Sequence, residues 1–508
     1  MNESNFYIDG ARAAGISAES LTDTQKLVQQ LPADSRAVVY GSPGSGKTTA
    51  LRALYLARIR GDAASLKANE VLAIAGSRDA ANTLRDQLAL EFSSTTAGPM
   101  ARTLSSFAFQ ILRHKALAEG AKSPELISGS EQDRLLAEIL KGFETADLKA
   151  LGWPSHINSQ IVKLKGFRAE LRDLITVCLE YRISPQQLAA LGQENDRQDW
   201  VAASTLYAAY EKKLTEPKQD NRHDASTLLD VACQYLENGS GFTPEVSAIK
   251  LVLVDDAQEL TPSARRLLTL LVSRGAGLVL FGDPDTATLG FRASDAASMA
   301  TLMDEIGGPN YKKIVLKSRP DARPAELTKA LGNIAFALPS ERAGLHRREY
   351  AEVEVPARSE LEPSDVIQAK LFSSPIAEAA WLGRRLRELH LVGENKVRWS
   401  DMAVVARSRT TLEALAAALA AEQVPVTIAG TRAALRDEFA SRQLLNILDA
   451  VLSDEPLDLA KVRLLLQSPF CGLDSIGLRR LRRALRRQEL EADGTRNTDQ
   501  LLVQLFET

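Results

Sequence analysis

The sequence predicts an α/β fold in which a parallel sheet is covered by helices on both faces. One observation is that short apolar runs, at residues 37–40, 71–75, 251–255 and 278–281, alternate with helical stretches along the chain. Near-continuous apolar strands separated by helices are typical of parallel sheets. The other is a glycine-rich segment, residues 41–49, between the first apolar run and a helical stretch. The glycines are therefore predicted to form the turn from a strand into a helix.

The glycine-rich segment meets every term of the phosphate-binding loop pattern G-x-x-x-x-G-K-[ST]. Gly41, Gly44 and Gly46 allow a tight turn whose N–H groups form an anion cradle. Lys47 adds a charge for the β- and γ-phosphates, and the Thr48 hydroxyl can ligate Mg²⁺. A chance match is the alternative, but the strand–loop–helix context argues against it, so we expect a bound nucleoside triphosphate. The residues predicted to touch it are Gly41, Ser42, Pro43, Gly44, Ser45, Gly46, Lys47, Thr48 and Thr49.

A long helical region follows the second apolar run. From Ser130 to about Leu236, apolar residues recur at the spacing of amphipathic helices. We interpret this region as a helical insertion into the first α/β domain.

The apolar run 251–254 ends in a pair of acids, Asp255 and Asp256. Ligands bind at the carboxyl ends of strands in open α/β sheets, so both side chains are predicted to face the nucleotide. Asp255 is the predicted Mg²⁺ partner, and Asp256 is the predicted base that orients the attacking water. A solvated acid pair at a strand end is the alternative, and the phosphate loop favours the catalytic interpretation.

A second α/β unit is predicted after the first. Its strands are expected near 314–316, 366–372 and 402–406, and its helices near 377–389 and 411–422. The tail from about Ala434 is again helical and becomes basic. The predicted domains are residues 1–110 with 222–305, the insertion 111–221, the second unit 306–431 and a helical domain 432–508.

Composition excludes several classes of protein. With 508 residues, two to four domains are expected, and the net charge of −3 gives no global attraction to nucleic acid. The three cysteines are far apart and form neither a disulfide framework nor a zinc spacing. No apolar run approaches a membrane-spanning length, and residues 1–19 lack an export signal, which predicts a cytoplasmic protein without a membrane partner.

Several short segments together resemble superfamily 1A DNA helicases of the UvrD/Rep/PcrA type. Within that group, the chain most resembles the actinobacterial AdnA-like subunits of RecBCD-like helicase–nucleases. The segments that carry this resemblance are 21–25, 75–81, 103–108, 166–174, 255–259, 282–292 and 316–319. The resemblance implies two RecA-like parallel-sheet domains with helical insertions, ATP and Mg²⁺ as cofactors, single- or double-stranded DNA as partner, and a second helicase–nuclease subunit.

The resemblance also assigns roles to individual residues. It places Gln25 beside adenine, Ser105 in a segment that contacts single-stranded DNA, and Arg319 at the γ-phosphate. An arginine in that role makes closure of a two-domain cleft depend on the γ-phosphate, while a surface arginine before Pro320 is the alternative. Phe291 and Arg292 offer an aromatic face for a base and a cation for a phosphate, and a core phenylalanine is the alternative.

The chain departs from the family pattern at several positions. Asp256 stands in place of a glutamate, Thr286 in place of a γ-phosphate-sensing glutamine, and Ser318 in place of a tyrosine that stacks on adenine. Gly76 and Asp79 replace an aromatic residue and a lysine. We expect nucleotide binding to survive these changes and fast coupled hydrolysis to be impaired. Neither the two later helicase motifs nor a RecB-type nuclease motif is found before Thr508, which predicts a truncated, split or partial subunit.

Two functions follow from these observations. The first is an ATP-dependent DNA translocase or helicase subunit that hydrolyses ATP with Lys47, Asp255, Asp256 and Arg319. The second is a nucleotide-binding, weakly hydrolysing partner that clamps DNA for an active motor. The arginine-rich segment 478–487 could contact duplex phosphates, but a solvated helix face packed by its leucines is the alternative that we favour.

Overall fold

The computed structural model describes residues 21–60, 66–92, 98–214, 221–307, 311–317, 323–338, 366–392, 396–428, 439–452 and 457–506. The chain divides into two compact units, Met1–Ala369 and Lys370–Thr508. Within the described ranges, every helix is too short or too polar to cross a bilayer.

A six-stranded sheet organises the first unit, and all of its neighbouring strands are parallel. Its strand order is β3-β2-β6-β7-β1-β8, and a separate pair joins β4 to β5. The strands are β1 (Arg36–Tyr40), β2 (Val71–Ile74), β3 (Ala101–Arg102), β4 (Glu125–Leu126), β5 (Arg222–His223), β6 (Leu251–Val254), β7 (Gly277–Gly282) and β8 (Lys312–Val315). The predicted α/β fold class is confirmed, and each of the apolar runs that predicted it forms a strand of this sheet.

Helices cover both faces of the sheet. Successive residues of one strand enter different hydrophobic cores, as Val38 and Val39 do, because neighbouring strand side chains point to opposite faces. The helices of this unit are α1 (Asp23–Gln29), α2 (Lys47–Ile59), α3 (Arg78–Glu91), α4 (Leu104–Glu119), α5 (Gly129–Lys141), α6 (Thr145–Ala150), α7 (Lys165–Glu180), α8 (Pro185–Glu194), α9 (Gln198–Leu214), α10 (Ala225–Glu237), α11 (Pro244–Ser247), α12 (Pro262–Ser273), α13 (Ser298–Gly307) and α14 (Ala325–Ala337).

The helical region between β4 and β5 has a core of its own. Leu136 of α5, Ile175 of α7 and Leu206 of α9 are buried together there. Helix α10 instead packs its apolar face against α4 and α12 in a core beside the sheet, with Leu228 and Ala232 fully buried. The predicted insertion is therefore helical as expected, while its last helix belongs to the core of the sheet.

The strand predicted near 314–316 lies elsewhere than expected. It is β8, and it pairs with β1 along Ala37–Tyr40, so it is the edge strand of the first sheet and does not begin a second one. Leu316, which follows β8, is buried in the hydrophobic core that also contains Val39 of β1. The apolar run at 314–316 therefore packs against the first sheet. Residues 366–372 and 402–406, also predicted as strands, have no strand ladder among the described residues. The second sheet and the predicted domain division stay predictions.

The second unit is helical where the structure describes it. Its helices are α15 (Pro375–Leu391), α16 (Arg409–Ala421), α17 (Phe439–Leu452), α18 (Leu459–Leu466), α19 (Ser475–Glu491) and α20 (Thr498–Gln504). The arginine-rich segment lies on α19. Its leucines, Leu478, Leu481 and Leu485, pack against buried residues of α18 and α20. The arginines Arg479, Arg480 and Arg483 are exposed, as the preferred interpretation of a solvated face packed by its leucines requires.

Candidate nucleotide site

The turn between β1 and α2 holds the predicted phosphate loop. Gly44 and Gly46 have φ angles of +79° and +82°, which side chains rarely adopt. A Cβ atom on Gly41 would overlap Ser45 Oγ, so a side chain here would displace the buried Ser45 hydroxyl. The N–H of Gly41 donates to the carbonyl of Gly282 at 3.3 Å and so extends the β1–β7 ladder into the loop. The sheet therefore fixes the start of the loop, and α2 fixes its end.

The predicted phosphate-binding lysine and magnesium ligands lie at this turn. Lys47 Nζ donates to the carbonyls of Gly41 at 2.7 Å and Ser42 at 3.2 Å. Thr48 Oγ1 donates to Asp255 Oδ2 at 2.6 Å, although the two residues are 207 positions apart. Strand β7 separates β1 from β6 in the sheet, so the two motifs meet because parallel strands present their carboxyl ends at one edge.

Asp255 is buried, with only 8% of its surface exposed. Burial raises the pKa of its carboxyl to about 6, and the nearby charge of Asp256 acts in the same direction. The hydrogen bond from Thr48 and the charge of Lys47 lower the pKa but do not cancel the effect of burial. The folded protein therefore holds this carboxylate at a position where a cation would favour the ionised form.

The donor set at this position fits Mg²⁺. Mg²⁺ prefers oxygen ligands and is usually held by one or two protein groups together with substrate phosphates and water. Thr48 Oγ1 and Asp255 Oδ2 supply two such oxygens side by side. Among the described residues, no cluster of three or more His, Cys, Asp or Glu could hold a metal.

Asp256 has an unusual backbone conformation. Its φ of +51° lies in the left-handed region, which aspartate tolerates better than most residues. Gln258 Nε2 lies 3.4 Å from Asp256 Oδ1. A Cβ atom on Gly76 would lie 3.3 Å from Asp256 Cβ, so a larger side chain there would crowd the acid. The glycine at position 76, one of the departures from the family pattern, therefore leaves room for Asp256.

Gln25, predicted to contact adenine, lies directly against the phosphate loop. Its Nε2 atom is 3.2 Å from the carbonyl oxygen of Ser45 and 3.4 Å from that of Gly46. Its Oε1 atom accepts the N–H of Thr22 at 2.9 Å as part of a capping box that starts α1. The structure thus brings Gln25 to the loop, while its contact with a base stays a prediction.

The remaining predicted site residues are placed less completely. Arg319 lies outside the described residues, and nothing of the Phe291 side chain is described. Arg292 is exposed on the single helical turn Gly290–Arg292, which contacts α7 of the helical insertion. Ser105 is half-buried in the first turn of α4. The DNA-binding and γ-phosphate roles of these residues stay predictions.

Glu259 is a site residue that the sequence pattern did not single out. Its Oε1 atom accepts the N–H and hydroxyl of Thr288, at 2.7 and 2.9 Å. Its Oε2 atom accepts the N–H of Leu289 at 3.0 Å and the hydroxyl of Ser294 at 2.9 Å. One carboxylate therefore joins the turn after Asp256 to the loop that carries Arg292. Nothing in the sequence distinguishes this glutamate from any other acid in a motif.

Arg323 is a second residue that sequence reasoning missed. Its Nη1 atom donates to the carbonyl of Pro43 at 2.6 Å, and its Nη2 atom donates to Ser42 Oγ at 3.0 Å. The residue just precedes α14, in the segment that follows β8. The sequence does not indicate that Arg323 lies near the phosphate loop. That position follows only once β8 is known to pair with β1, because the segments after the two strands then lie side by side.

Sequence comparisons relate this chain to known proteins. A family model described as the UvrD/REP helicase N-terminal domain matches residues 21–306. The chain is 22% identical, over 87% of its length, to the ATP-dependent DNA helicase srs2 of Schizosaccharomyces pombe. It is 26% identical over 54% of its length to the RecBCD enzyme subunit RecB of Mycobacterium tuberculosis, and 25% identical over 45% to the mitochondrial ATP-dependent DNA helicase HMI1 of Saccharomyces cerevisiae. The chain spans 49% of srs2, 28% of RecB and 33% of HMI1.

Proposed function

Because the chain belongs to the UvrD/REP helicase family, we propose that it is an ATP-dependent DNA helicase or translocase subunit that acts in DNA repair or recombination. The observation that carries this proposal is the meeting of Lys47, Thr48 and Asp255 at one edge of the sheet. The AdnA-like assignment, a second helicase–nuclease subunit as partner and a cytoplasmic location remain predictions.

The proposed reaction transfers the γ-phosphoryl group of ATP to water. Lys47 exchanges the carbonyls of Gly41 and Ser42 for phosphate oxygens, and the loop N–H groups bind the remaining charge. Thr48 and Asp255 would hold Mg²⁺, which when bound neutralises charge on the β- and γ-phosphates. Asp256 takes a proton from water as the water oxygen attacks phosphorus and the bond to the bridging oxygen of ADP breaks. Arg319 is proposed to stabilise the transferred group.

Coupling to DNA is proposed to run through Glu259. Its carboxylate joins the turn that follows Asp256 to Thr288, Leu289 and Ser294, and the same loop presents Arg292 to solvent. A change in the position of the acid pair would therefore be transmitted to the loop proposed to touch single-stranded DNA. Repeated closure and opening around ATP would move the protein along the strand.

A second candidate function is a nucleotide-binding clamp with weak hydrolysis. The specific observation in its favour concerns Thr286, which stands where the family has a glutamine. The Thr286 hydroxyl donates to the carbonyl of Asp283 at 2.9 Å within the same turn. Its proton is therefore already engaged in a hydrogen bond within that turn. The short side chain of Asp256 favours the same interpretation. DNA stimulation of turnover discriminates between the two functions.

The test of the nucleotide site is Lys47→Ala. We expect either the affinity for a fluorescent ATP analogue or the rate of ATP turnover to fall by about 100-fold. The reason is that the variant removes the positive charge proposed to face the phosphates. Lys396→Ala, an exposed lysine of the second unit, is the matched control and should leave both unchanged. Unchanged binding and turnover in Lys47→Ala would reject this assignment of the site.

A further inference from the structure

The guanidinium of Arg323 holds two consecutive residues of the phosphate loop. The bonds to Pro43 O and Ser42 Oγ, at 2.6 and 3.0 Å, come from its two terminal nitrogens. Arg323 is half-buried and Ser42 is fully buried. The guanidinium group is planar and donates from both terminal nitrogens, so it fixes the orientation of the two acceptors. An ammonium group does not impose such an orientation. The contact is therefore directional and partly shielded from water.

The Pro43 carbonyl and the Gly44 N–H belong to the same rigid peptide group. The peptide is planar and trans, so the N–H on its other side belongs to Gly44 and points in the opposite direction. Gly44, with φ +79°, has one of the two left-handed backbones of the loop. Fixing the Pro43 carbonyl therefore fixes the Gly44 N–H, one of the donors expected to form the anion cradle.

Lys47 also binds carbonyls of the loop, although its ammonium group does not fix their direction as a guanidinium does. It donates to Gly41 O and Ser42 O, and Arg323 donates to the next carbonyl, that of Pro43. Three successive carbonyls thus accept bonds from cationic side chains. In the proposed reaction Lys47 leaves its carbonyls for phosphate oxygens, whereas Arg323 can keep its bonds to Pro43 and Ser42.

We propose that Arg323 is a positioning residue of the nucleotide site, which orients the Gly44 N–H for a phosphate group and links the phosphate loop to α14. This inference rests on the proposed function, because it assumes that the loop binds nucleotide. It differs from the role predicted for Arg319, since Arg323 acts through the loop and does not need to touch the γ-phosphate.

The experiment compares Arg323→Ala and Arg323→Lys with the unaltered full chain, using a fluorescent ATP analogue and its ADP counterpart. We expect Arg323→Ala to weaken both by about tenfold, equivalent to about 1.4 kcal/mol. Arg323→Lys should recover less than about half of that loss, because an ammonium group cannot reproduce the paired geometry. Arg384→Ala, an exposed arginine of the second unit, controls for the loss of charge.

A role in packing alone predicts a different result. Arg323→Ala would then lower the melting temperature, yet the folded variant would bind both nucleotides within about twofold of the unaltered protein, and that result overturns the inference. If Arg323→Ala does not fold, Arg323→Lys carries the test, because it keeps the charge but not the paired geometry and should still weaken binding of both nucleotides by more than about twofold. Unaltered protein that binds no nucleotide would reject the proposed function, and the role of Arg323 with it.

Discussion

Asp255, the proposed magnesium ligand, is held at a cost to the stability of the fold. Its carboxyl is buried and its pKa is raised to about 6, so ionisation at neutral pH opposes folding. The hydrogen bond from Thr48 and the proximity of Lys47 offset only part of this cost. An acid held in this way is suited to a cation that arrives with the nucleotide, and residues at functional sites commonly lower stability.

Asp255→Asn should therefore stabilise the protein in magnesium-free buffer. A carboxyl with a raised folded pKa gives greatest stability below its unfolded pKa, near 3.8, and that stability is lost as the pH rises through about 6. At pH 7 the variant should gain roughly 1 to 3 kcal/mol, and the gain should shrink by roughly half at pH 5. Melting temperatures of both proteins between pH 5 and 8 measure this difference. A difference that does not change with pH would contradict the burial argument.

Asp256→Asn tests the predicted base at the same scale. Asparagine has nearly the same size as aspartate and also tolerates a φ of +51°. The backbone conformation at position 256 should therefore be unchanged. We expect turnover to fall by about 100-fold or more, with nucleotide affinity changed by less than about threefold. Single-turnover hydrolysis and equilibrium binding separate the two effects. Turnover close to that of the unaltered protein would remove Asp256 from the mechanism.

At the scale of elements, the loop at 288–294 depends on one acid. Glu259 accepts two backbone N–H groups and two hydroxyls from this loop, and hydrogen bonds to a charged group contribute about 1.5 to 3 kcal/mol. The loop should therefore be ordered by the turn that follows the acid pair, and this order is what the proposed coupling requires.

Glu259→Gln should separate ATP binding from the proposed response to DNA. The amide N–H groups of Thr288 and Leu289 should exchange with solvent about tenfold faster, because their charged acceptor is replaced by a neutral one. ATP affinity should be unchanged, while any stimulation of turnover by single-stranded DNA should fall. Glu245→Gln, at an exposed helix start, is the matched control. Exchange rates equal to those of the unaltered protein would show that Glu259 does not order this loop.

The elements also show which parts of the fold could be predicted from the sequence. The loop 41–48 and the strand that precedes Asp255 have local patterns, since glycine spacing determines the first and a continuous apolar run the second. The position of β8 could not be predicted, because an apolar strand does not encode which neighbour it pairs with. Arg323 and Glu259 were missed for a similar reason, because Pro43 lies 280 residues from Arg323 and Leu289 lies 30 residues from Glu259.

At the scale of the whole molecule, the chain divides into two compact units, and the described part of the candidate nucleotide site lies in the first of them. The nucleotide residues that could be placed lie in the unit Met1–Ala369, and the family match covers residues 21–306. The chain spans about half of srs2 and less of the other two relatives described above. Whether this chain closes around ATP productively is therefore the central question for the proposed motor function.

Steady-state ATPase of the purified chain, with and without single-stranded DNA, answers that question most directly. The proposed motor predicts DNA stimulation of about tenfold or more, equivalent to about 1.4 kcal/mol of activation barrier. Nucleotide binding with no stimulation of turnover would contradict it and would leave the clamp function.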